Sequence, residues 1–196
     1  LLYQCWKDDG LRKRLEFCTE LFMDRIYDSS KRHFNLFFDN AWNSLVEMDS
    51  YGHDVEALWL HCEAALALED RQLMDRANRL ALDVTDACLA EGLSDKGYMM
   101  YEKKGGRTTG HASWWGQIET MIACVNAWQI SGNDVYLQSA DTVWTFVKDC
   151  MIDREYGEWY SDCFDGEPKK DTPKVSMWRC PYHTVRLGVE IHNRLK

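Results

Sequence analysis

Apolar residues recur along the chain with the spacing of amphipathic α-helices. Five runs follow the i, i+3, i+4, i+7 pattern, over residues 11–26, 55–66, 73–88, 118–125 and 136–147. A last helix is predicted from about residue 182 to 195, because Pro181 precedes it and proline suits the first turn of a helix. The pattern therefore predicts an all-α fold.

Short aromatic segments separate these helices. Their alternation over residues 34–38, 98–101 and 158–164 predicts small β-hairpins in the connecting loops. Each hairpin follows an acidic turn, at Asp28, Asp95 and Asp153, so helix, turn, hairpin and helix recur three times. Glu56 and Glu119 hold comparable places in successive repeats. The repeat unit is a helix pair, and such pairs stack into a solenoid or close into a ring.

Three helix pairs are too few to close a ring. The chain is then either an open stack or part of a larger ring, and its first residue, Leu1 rather than Met, favours the second alternative. We expect residues 1–196 to form a single unit that belongs to a longer chain.

Composition narrows the function classes. With 45% hydrophobic and 28% charged residues the chain is of ordinary globular type, and a net charge of −9 argues against nucleic acid as a partner. No stretch approaches the ~18 consecutive apolar residues of a membrane span, so we also expect no membrane partner. The eight cysteines form no C-x-x-C motif and several fall at helical core positions, which predicts free thiols and a cytoplasmic location.

Two histidines stand where a loop enters a helix. His53 follows Gly52 in the first turn of a predicted helix, where the helix dipole favours the neutral imidazole that can act as a base. Glu56, on the same face, could orient His53 or bind a hydroxyl; alternatively, His53 caps the helix and Glu56 closes a capping contact. His183 repeats this placement after Pro181, and two such histidines suit chemistry in which a proton leaves one face of a carbon and returns to the other.

Trp114 and Trp115 open a third helix at the same point of its repeat. A tryptophan face covers the apolar side of a sugar ring, while Gln117 and Glu119 could take its hydroxyls. The alternative for either tryptophan is a place in the core.

Metal and nucleotide sites lack support in the sequence. His33, His111 and His192 have no carboxylate or cysteine at metal-ligand spacing, and His61 lies in an apolar helical run typical of a packing residue. No glycine-rich phosphate loop is present. We expect no metal ion and no bound nucleotide.

At these same residues the sequence resembles the cellobiose 2-epimerases, within the N-acylglucosamine 2-epimerase superfamily. The resemblance covers essentially the whole chain. It rests on residues 35–38, Trp42-Asn43, the S-Y-G-H-D-V-E-A run at 50–57, W-W-G-Q-I-E at 114–119, Y-G-E-W-Y at 156–160 and W-R-C-P-Y-H at 178–183.

This resemblance implies an (α/α)6 barrel, of which the chain would supply about three helix pairs as the C-terminal half. It implies a sugar 2-epimerase that acts on the reducing-end glucose of a β-1,4-linked disaccharide such as cellobiose, through a cis-enediolate and without a cofactor. His53 and His183 would be the acid/base pair. The implied substrate-binding residues are Glu56, Trp114, Trp115, Glu119, Trp178, Tyr182 and Arg186.

The sequence also departs from the family pattern. Relatives are about twice as long, and their N-terminal half supplies an Arg and a further His; Thr184 and Ala112-Ser113 replace residues of the rim. The alternatives are therefore an incomplete sugar-binding fragment or a related aldose-ketose isomerase. We expect the apolar flanks of a half-barrel to favour self-association or pairing with the missing half.

Overall fold

The computed structural model describes residues 2–196 and shows a helical protein. All the helices expected from periodicity are present, with one further short helix at the start. The seven α-helices of the described residues are α1 Leu2–Cys5, α2 Asp9–Leu21, α3 Tyr51–Leu68, α4 Arg71–Gly92, α5 Trp114–Ser131, α6 Val135–Phe146 and α7 Tyr182–Arg194.

The helices form two layers. Helices α3, α5 and α7 lie side by side, and α2, α4 and α6 pack on their outer side. α5 buries its residues 116–127 without a break, whereas α4 buries only one stripe, as expected for an inner and an outer helix. The three inner helices therefore alternate with three outer ones along the chain.

Local side-chain bonds set where several helices begin. The carboxylates of Asp8 and Asp70 accept the backbone N–H of Leu11 and Leu73, each at 2.9 Å, and start α2 and α4. Ser113 accepts the N–H of Gly116 at 3.3 Å and starts α5. Of these three helices, α5 carries candidate site residues in its first turn, Trp114 and Trp115.

A single π-helical turn follows each of two outer helices. The turns Phe22–Ile26 and Val147–Met151 continue α2 and α6, and each closes with a backbone bond from the next residue to the first carbonyl of the turn. They occupy the same position in their repeats and redirect the chain toward the loops.

Three small antiparallel sheets connect the loops. Strands β1 Tyr27–Asp28 and β2 His33–Phe34 form one sheet, and β3 Met48–Asp49, β4 Lys103–Lys104 and β5 Arg107–Thr108 form the second. The third contains β6 His111–Ser113, β7 Asp162–Phe164 and β8 Glu167–Pro168. In register, Met48 faces Lys104 and Ala112 faces Cys163.

The prediction of small hairpins is confirmed in kind, but the strand positions differ by several residues. The segment at 98–101 contributes only a bridge from Leu93 to Met99, and the regular strand begins at Lys103. The reason is that β4 and β7 pair with strands from the loop of the preceding repeat as well as with their own neighbours.

The core runs between the two layers. Leu58, Ile118 and Ile122 are fully buried in its main cluster, and Val143 and Met151 in a second cluster under α6. All eight cysteines are free, and burial raises the pKa of the Cys124 and Cys163 thiols to about 12. In the described part of the chain no helix combines the length and apolarity needed to cross a membrane.

Candidate active site

The N-terminal ends of the three inner helices meet at one place. His53 lies in the first turn of α3, Trp115 is the second residue of α5, and His183 is the second residue of α7. The ring centroids of Trp115 and His53 are 4.8 Å apart, and those of Trp115 and His183 are 6.0 Å apart. The two imidazoles therefore contact the same indole and lie within about 11 Å of each other.

Trp115 holds this position because Gly52 has no side chain. A Cβ at Gly52 would lie 2.6 Å from Cη2 and 2.8 Å from Cζ3 of the indole, closer than any normal contact. Gly52 therefore lets α3 and α5 approach closely and sets the indole between the two imidazoles.

A neutral group holds His53. The Nδ1 atom lies 2.8 Å from Oγ of Ser50, and the imidazole is exposed. The carboxylate of Glu56 pairs with Arg186 at 2.6 Å and makes no hydrogen bond to His53 within the described residues. Ser50, rather than Glu56, orients His53, and α3 begins without a side-chain cap bond.

A charged group holds His183. Its Nδ1 lies 2.7 Å from Oε1 of Glu119, a carboxylate that is 0% exposed. The same carboxylate accepts bonds from Arg186 Nη2 at 2.5 Å and from Trp59 Nε1 at 2.9 Å. Burial favours the protonated acid, but the bonds from His183 and Arg186 outweigh it and lower the pKa of Glu119.

The protein itself occupies most of the guanidinium of Arg186. It donates to Glu56, Glu119 and the hydroxyl of Tyr182, and it lies 5.1 Å from the ring of Trp59 and 4.5 Å from that of Tyr182. Burial acts to lower the pKa of Arg186, but the bonds to the two carboxylates prevail and raise it. Only 12% of its side chain is exposed.

The two tryptophans of the pair have different surroundings. The ring of Trp114 lies 4.7 Å below the guanidinium of Arg179, and its buried Nε1 has no hydrogen-bond partner among residues 2–196. Gln117 was expected to take sugar hydroxyls, but both ends of its buried amide bond the backbone of Met99 at 2.8 Å. That expectation is wrong, because Gln117 ties α5 to the preceding loop.

Trp178 does not join the cluster. It lies in a tight turn closed by backbone bonds between Ser176 and Arg179, and it is 85% exposed. Tyr182 is half exposed and contacts His183 with ring centroids 5.0 Å apart. The other predicted binding residues lie near the two histidines: Glu56, Trp114, Trp115, Glu119 and Arg186. Trp114 lies on the His183 side, with ring centroids 6.3 Å apart.

His33 and His111 have carboxylate partners in the structure, although neither has one at metal-ligand spacing in the sequence. His33 is buried with Nδ1 2.7 Å from Oδ2 of Asp54, and His111 lies 2.7 Å from Asp162 across a sheet. The partners are far apart in sequence, so local spacing could not reveal them. His61 is a packing residue as expected, with Nδ1 2.5 Å from the carbonyl of Ala57.

In residues 2–196, two groups of side chains bring together residue types that can bind a metal ion. In each of them the ligand atoms lie within 4.8 Å of one another: His33, Asp54 and Cys88 in one, and Glu56, Glu119 and His183 in the other. In the first, burial raises the pKa of the Cys88 thiol, which disfavours the thiolate a metal binds. In the second, Arg186 already supplies a cation between the carboxylates.

The sequence matches the model of the N-acylglucosamine 2-epimerase family over residues 1–186. The chain belongs to this family. A cellobiose 2-epimerase from Bacteroides fragilis is 38% identical over 195 residues, which cover 97% of this chain and 49% of that protein.

Comparison with solved structures gives the same result. A sugar epimerase from a ruminal bacterium superposes with a TM-score of 0.95 at 33% identity, over 98% of this chain and 50% of that one. The cellobiose 2-epimerase of Bacillus thermoamylovorans B4167 gives a TM-score of 0.91 at 32% identity, again over 98% and 50%. The chain thus spans about half the length of the relatives it matches.

Family membership confirms the expected fold class. The alternating layers are three helix pairs of an (α/α)6 barrel with small β-structure in the loops. That residues 1–196 act as a single unit at the C-terminal end of such a barrel stays a prediction.

Sequence reasoning missed three residues that this family member uses around its histidines. Ser50 and Gly52 flank the first turn of α3, and Trp59 donates to Glu119 from the next turn. A signal was available for Trp59, since it follows Glu56 by one helical turn and so shares its face.

Proposed function

We propose that this family member takes part in the 2-epimerisation of a reducing sugar. The substrate class is the reducing-end glucose of a β-1,4-linked disaccharide such as cellobiose, which would become glucosyl-mannose. The observation that carries the proposal is the pair of imidazoles, His53 and His183, in contact with the single indole of Trp115. The names of the curated relatives, cellobiose 2-epimerases, support the same substrate class.

The reaction requires a proton to leave and return at C2. After ring opening, one imidazole takes the C2 proton of the aldehyde form. The electrons of the C–H bond form the C1–C2 double bond while the π electrons of the C1 carbonyl move onto O1, which gives a cis-enediolate. The other imidazole, as imidazolium, delivers a proton to the opposite face of C2, and the C1 carbonyl forms again. No net oxidation or reduction occurs, so His53 and His183 carry out both proton transfers between them.

Glu119 prepares His183 for this role. Because Glu119 is ionised and accepts at Nδ1, it favours the tautomer whose Nδ1 carries the proton and whose Nε2 is free for the substrate. The hydroxyl of Ser50, which can donate or accept, occupies Nδ1 of His53 at 2.8 Å. We therefore assign proton transfer to Nε2 of each ring.

The indole of Trp115 is the proposed platform for the sugar ring. Its neighbours Tyr182 and Glu56 lie at the edge of the same cluster, and His53 and Glu56 also line a cavity of about 470 Å³. Trp178 would act from its exposed turn, and Trp114 would support the site from behind.

Proton NMR of cellobiose in D2O tests this proposal. We expect loss of the C2 proton signal and the appearance of mannose-type anomeric signals, with both changes abolished by His53→Ala and by His183→Ala. Circular dichroism first establishes that each variant is folded. A ketose product would contradict the proposal in favour of an aldose-ketose isomerase.

A second candidate is a sugar-binding fragment without turnover. It is favoured by the length of the chain, which spans about half of its curated relatives. Calorimetric binding of cellobiose by a folded chain that leaves the C2 proton in place would support this candidate over the first.

The flanks of the molecule suggest a macromolecular partner. Leu60 on α3 and Val185 and Val189 on α7 are 40%, 61% and 51% exposed and line an apolar groove of about 720 Å³. We propose that these flanks pair with the rest of a barrel or with a second copy, because monomers rarely expose such patches. A strictly monomeric sedimentation profile at high concentration would argue against self-association.

A further inference from the structure

Four charged or titratable side chains form one cluster: His183, Glu119, Arg186 and Glu56. Glu119 Oε1 lies 2.7 Å from Nδ1 of His183, and Arg186 Nη2 lies 2.5 Å from the same oxygen and 3.3 Å from that nitrogen. Glu56 Oε1 lies 2.6 Å from the same Nη2. The exposed fractions of these four side chains are between 0% and 23%, so bulk water screens them little.

The formal charges of this cluster do not cancel while His183 is neutral. Glu56 and Glu119 carry two negative charges, and Arg186 carries one positive charge. A proton on His183 makes the four groups neutral as a set. Burial favours a neutral set, so the second carboxylate favours the imidazolium while the guanidinium opposes it.

This opposition suits an acid/base residue that must both accept and donate a proton. Such a residue works best when its two protonation states have similar free energies near the working pH. The carboxylates of Glu119 and Glu56 favour the imidazolium, and the guanidinium of Arg186 favours the neutral ring. Arg186 and Glu56 therefore act on the two forms in opposite directions.

We propose that Arg186 and Glu56 are positioning residues, two opposed charges that act through Glu119 to balance the protonation of His183. The inference rests on the acid/base role proposed above for His183. It gives Arg186 and Glu56 a role besides the expected binding of sugar, because the terminal nitrogens of Arg186 donate to Tyr182, Glu56 and Glu119.

The chain offers a matched pair for comparison. Arg194, two turns further along α7, pairs with Glu63 on α3 at 2.6 Å and lies 5.7 Å from the ring of Trp59. It joins the same two helices and contacts the same tryptophan as Arg186, but its hydrogen-bond partners within the described chain do not include Glu119 or His183. Variants of Arg194 and Glu63 therefore test the loss of a helix-to-helix ion pair without the effect on His183.

The test is ¹⁵N NMR of the histidine rings in the full 196-residue chain at pH 7. We expect Arg186→Met, which removes a positive charge, to raise the ratio of charged to neutral His183 by about tenfold. Glu56→Gln, which removes a negative charge, should lower this ratio by about tenfold. Each change corresponds to a shift of about one pH unit. Arg186→Lys, which keeps the positive charge, should stay close to the wild-type ratio. Arg194→Met and Glu63→Gln should leave the ratio unchanged.

Changes of the same sign in Arg186→Met and Glu56→Gln, or an equal change in Arg194→Met, would overturn the inference. The readout needs no turnover, so it is separate from the test of the epimerase proposal. Opposed changes in a chain that never exchanges the C2 proton would keep the charge balance and reject the activity. Exchange of the C2 proton without opposed changes in the His183 ratio would keep the activity and reject the charge balance.

Discussion

The two histidine positions look alike in the sequence and differ in the structure. Each imidazole lies in the first turn of an inner helix and contacts Trp115, and each has a partner at Nδ1. For His53 that partner is the hydroxyl of Ser50 and the ring is exposed. For His183 it is the buried carboxylate of Glu119, and 19% of the ring is exposed. A hydroxyl and solvent thus surround one ring, while a buried carboxylate contacts the other.

The buried carboxylates next to the two histidines also differ in what they bind. Beside His53, the next residue Asp54 is a fully buried carboxylate, comparable to Glu119 beside His183. It pairs with His33 and accepts the backbone N–H of Phe34 at 3.1 Å, so it fastens a loop to α3. A buried carboxylate therefore serves structure on the His53 side and the proposed chemistry on the His183 side.

The largest expected effect comes from removing the partners of the two rings. Glu119→Gln removes a buried charge that three donors share, and we expect a loss of about 3 kcal/mol in the free energy of unfolding. Ser50→Ala removes one hydroxyl beside an exposed ring, and about 1 kcal/mol or less is expected. Urea denaturation followed by circular dichroism measures both values. Equal losses would mean that the two anchors do not differ.

The second prediction tests the close contact between Gly52 and the indole of Trp115, which both histidines share. Gly52→Ala places a Cβ 2.6 Å from Trp115, and overpacking of this kind costs about 1–3 kcal/mol. Gly188 is the matched control, because its Cβ position on α7 meets no atom within 4 Å. Gly188→Ala should stabilise the chain by about 0.5–1 kcal/mol through helix propensity.

Thermal melting of both glycine variants gives the comparison, and near-ultraviolet circular dichroism reports the tryptophans. We expect the tryptophan signal to change only in Gly52→Ala. A stable Gly52→Ala variant with an unchanged tryptophan spectrum would show that the indole is not held by this contact.

The third prediction concerns pH and the structural carboxylate. Burial acts to lower the pKa of His33, but the bond to Asp54 prevails and raises it, and burial raises the pKa of Asp54. The folded state therefore holds more protons than the unfolded state. Its stabilisation is present below the ordinary histidine value of 6.5 and is lost as the pH rises through the higher folded value.

Urea denaturation at pH 6 and pH 8.5 measures this loss. The wild-type free energy of unfolding should fall between the two pH values by more than that of His33→Asn, in which the pair is absent. His192→Asn, on the exposed face of α7, should keep the wild-type fall. An identical fall in His33→Asn and the wild type would remove His33 as its cause.

Periodicity and loop position predicted the fold and the outline of the site. Helix spans follow from burial of one face, and His53, Trp115 and His183 could be placed because each begins a helix of the repeat. Contacts between residues far apart in the sequence could not be predicted: Glu119 meets Trp59 and His183, and His33 meets Asp54. The contact of Trp59 with Glu119 depends on how closely α3 and α5 approach, and Gly52 permits that approach by its lack of a side chain.

The smallest expected effect concerns Trp178, the predicted sugar-stacking residue that stays outside the cluster. It is 85% exposed in a turn whose base Arg179 anchors through Ser161 and the carbonyl of Trp159, so Trp178→Ala should change the free energy of unfolding by less than about 0.5 kcal/mol. Met177, in the same turn and 90% exposed, provides the control Met177→Ala. If Trp178 covers the sugar when it binds, only the tryptophan variant should weaken cellobiose binding in calorimetry. Equal binding by both variants would leave Trp115 as the aromatic platform and Trp178 as a surface residue.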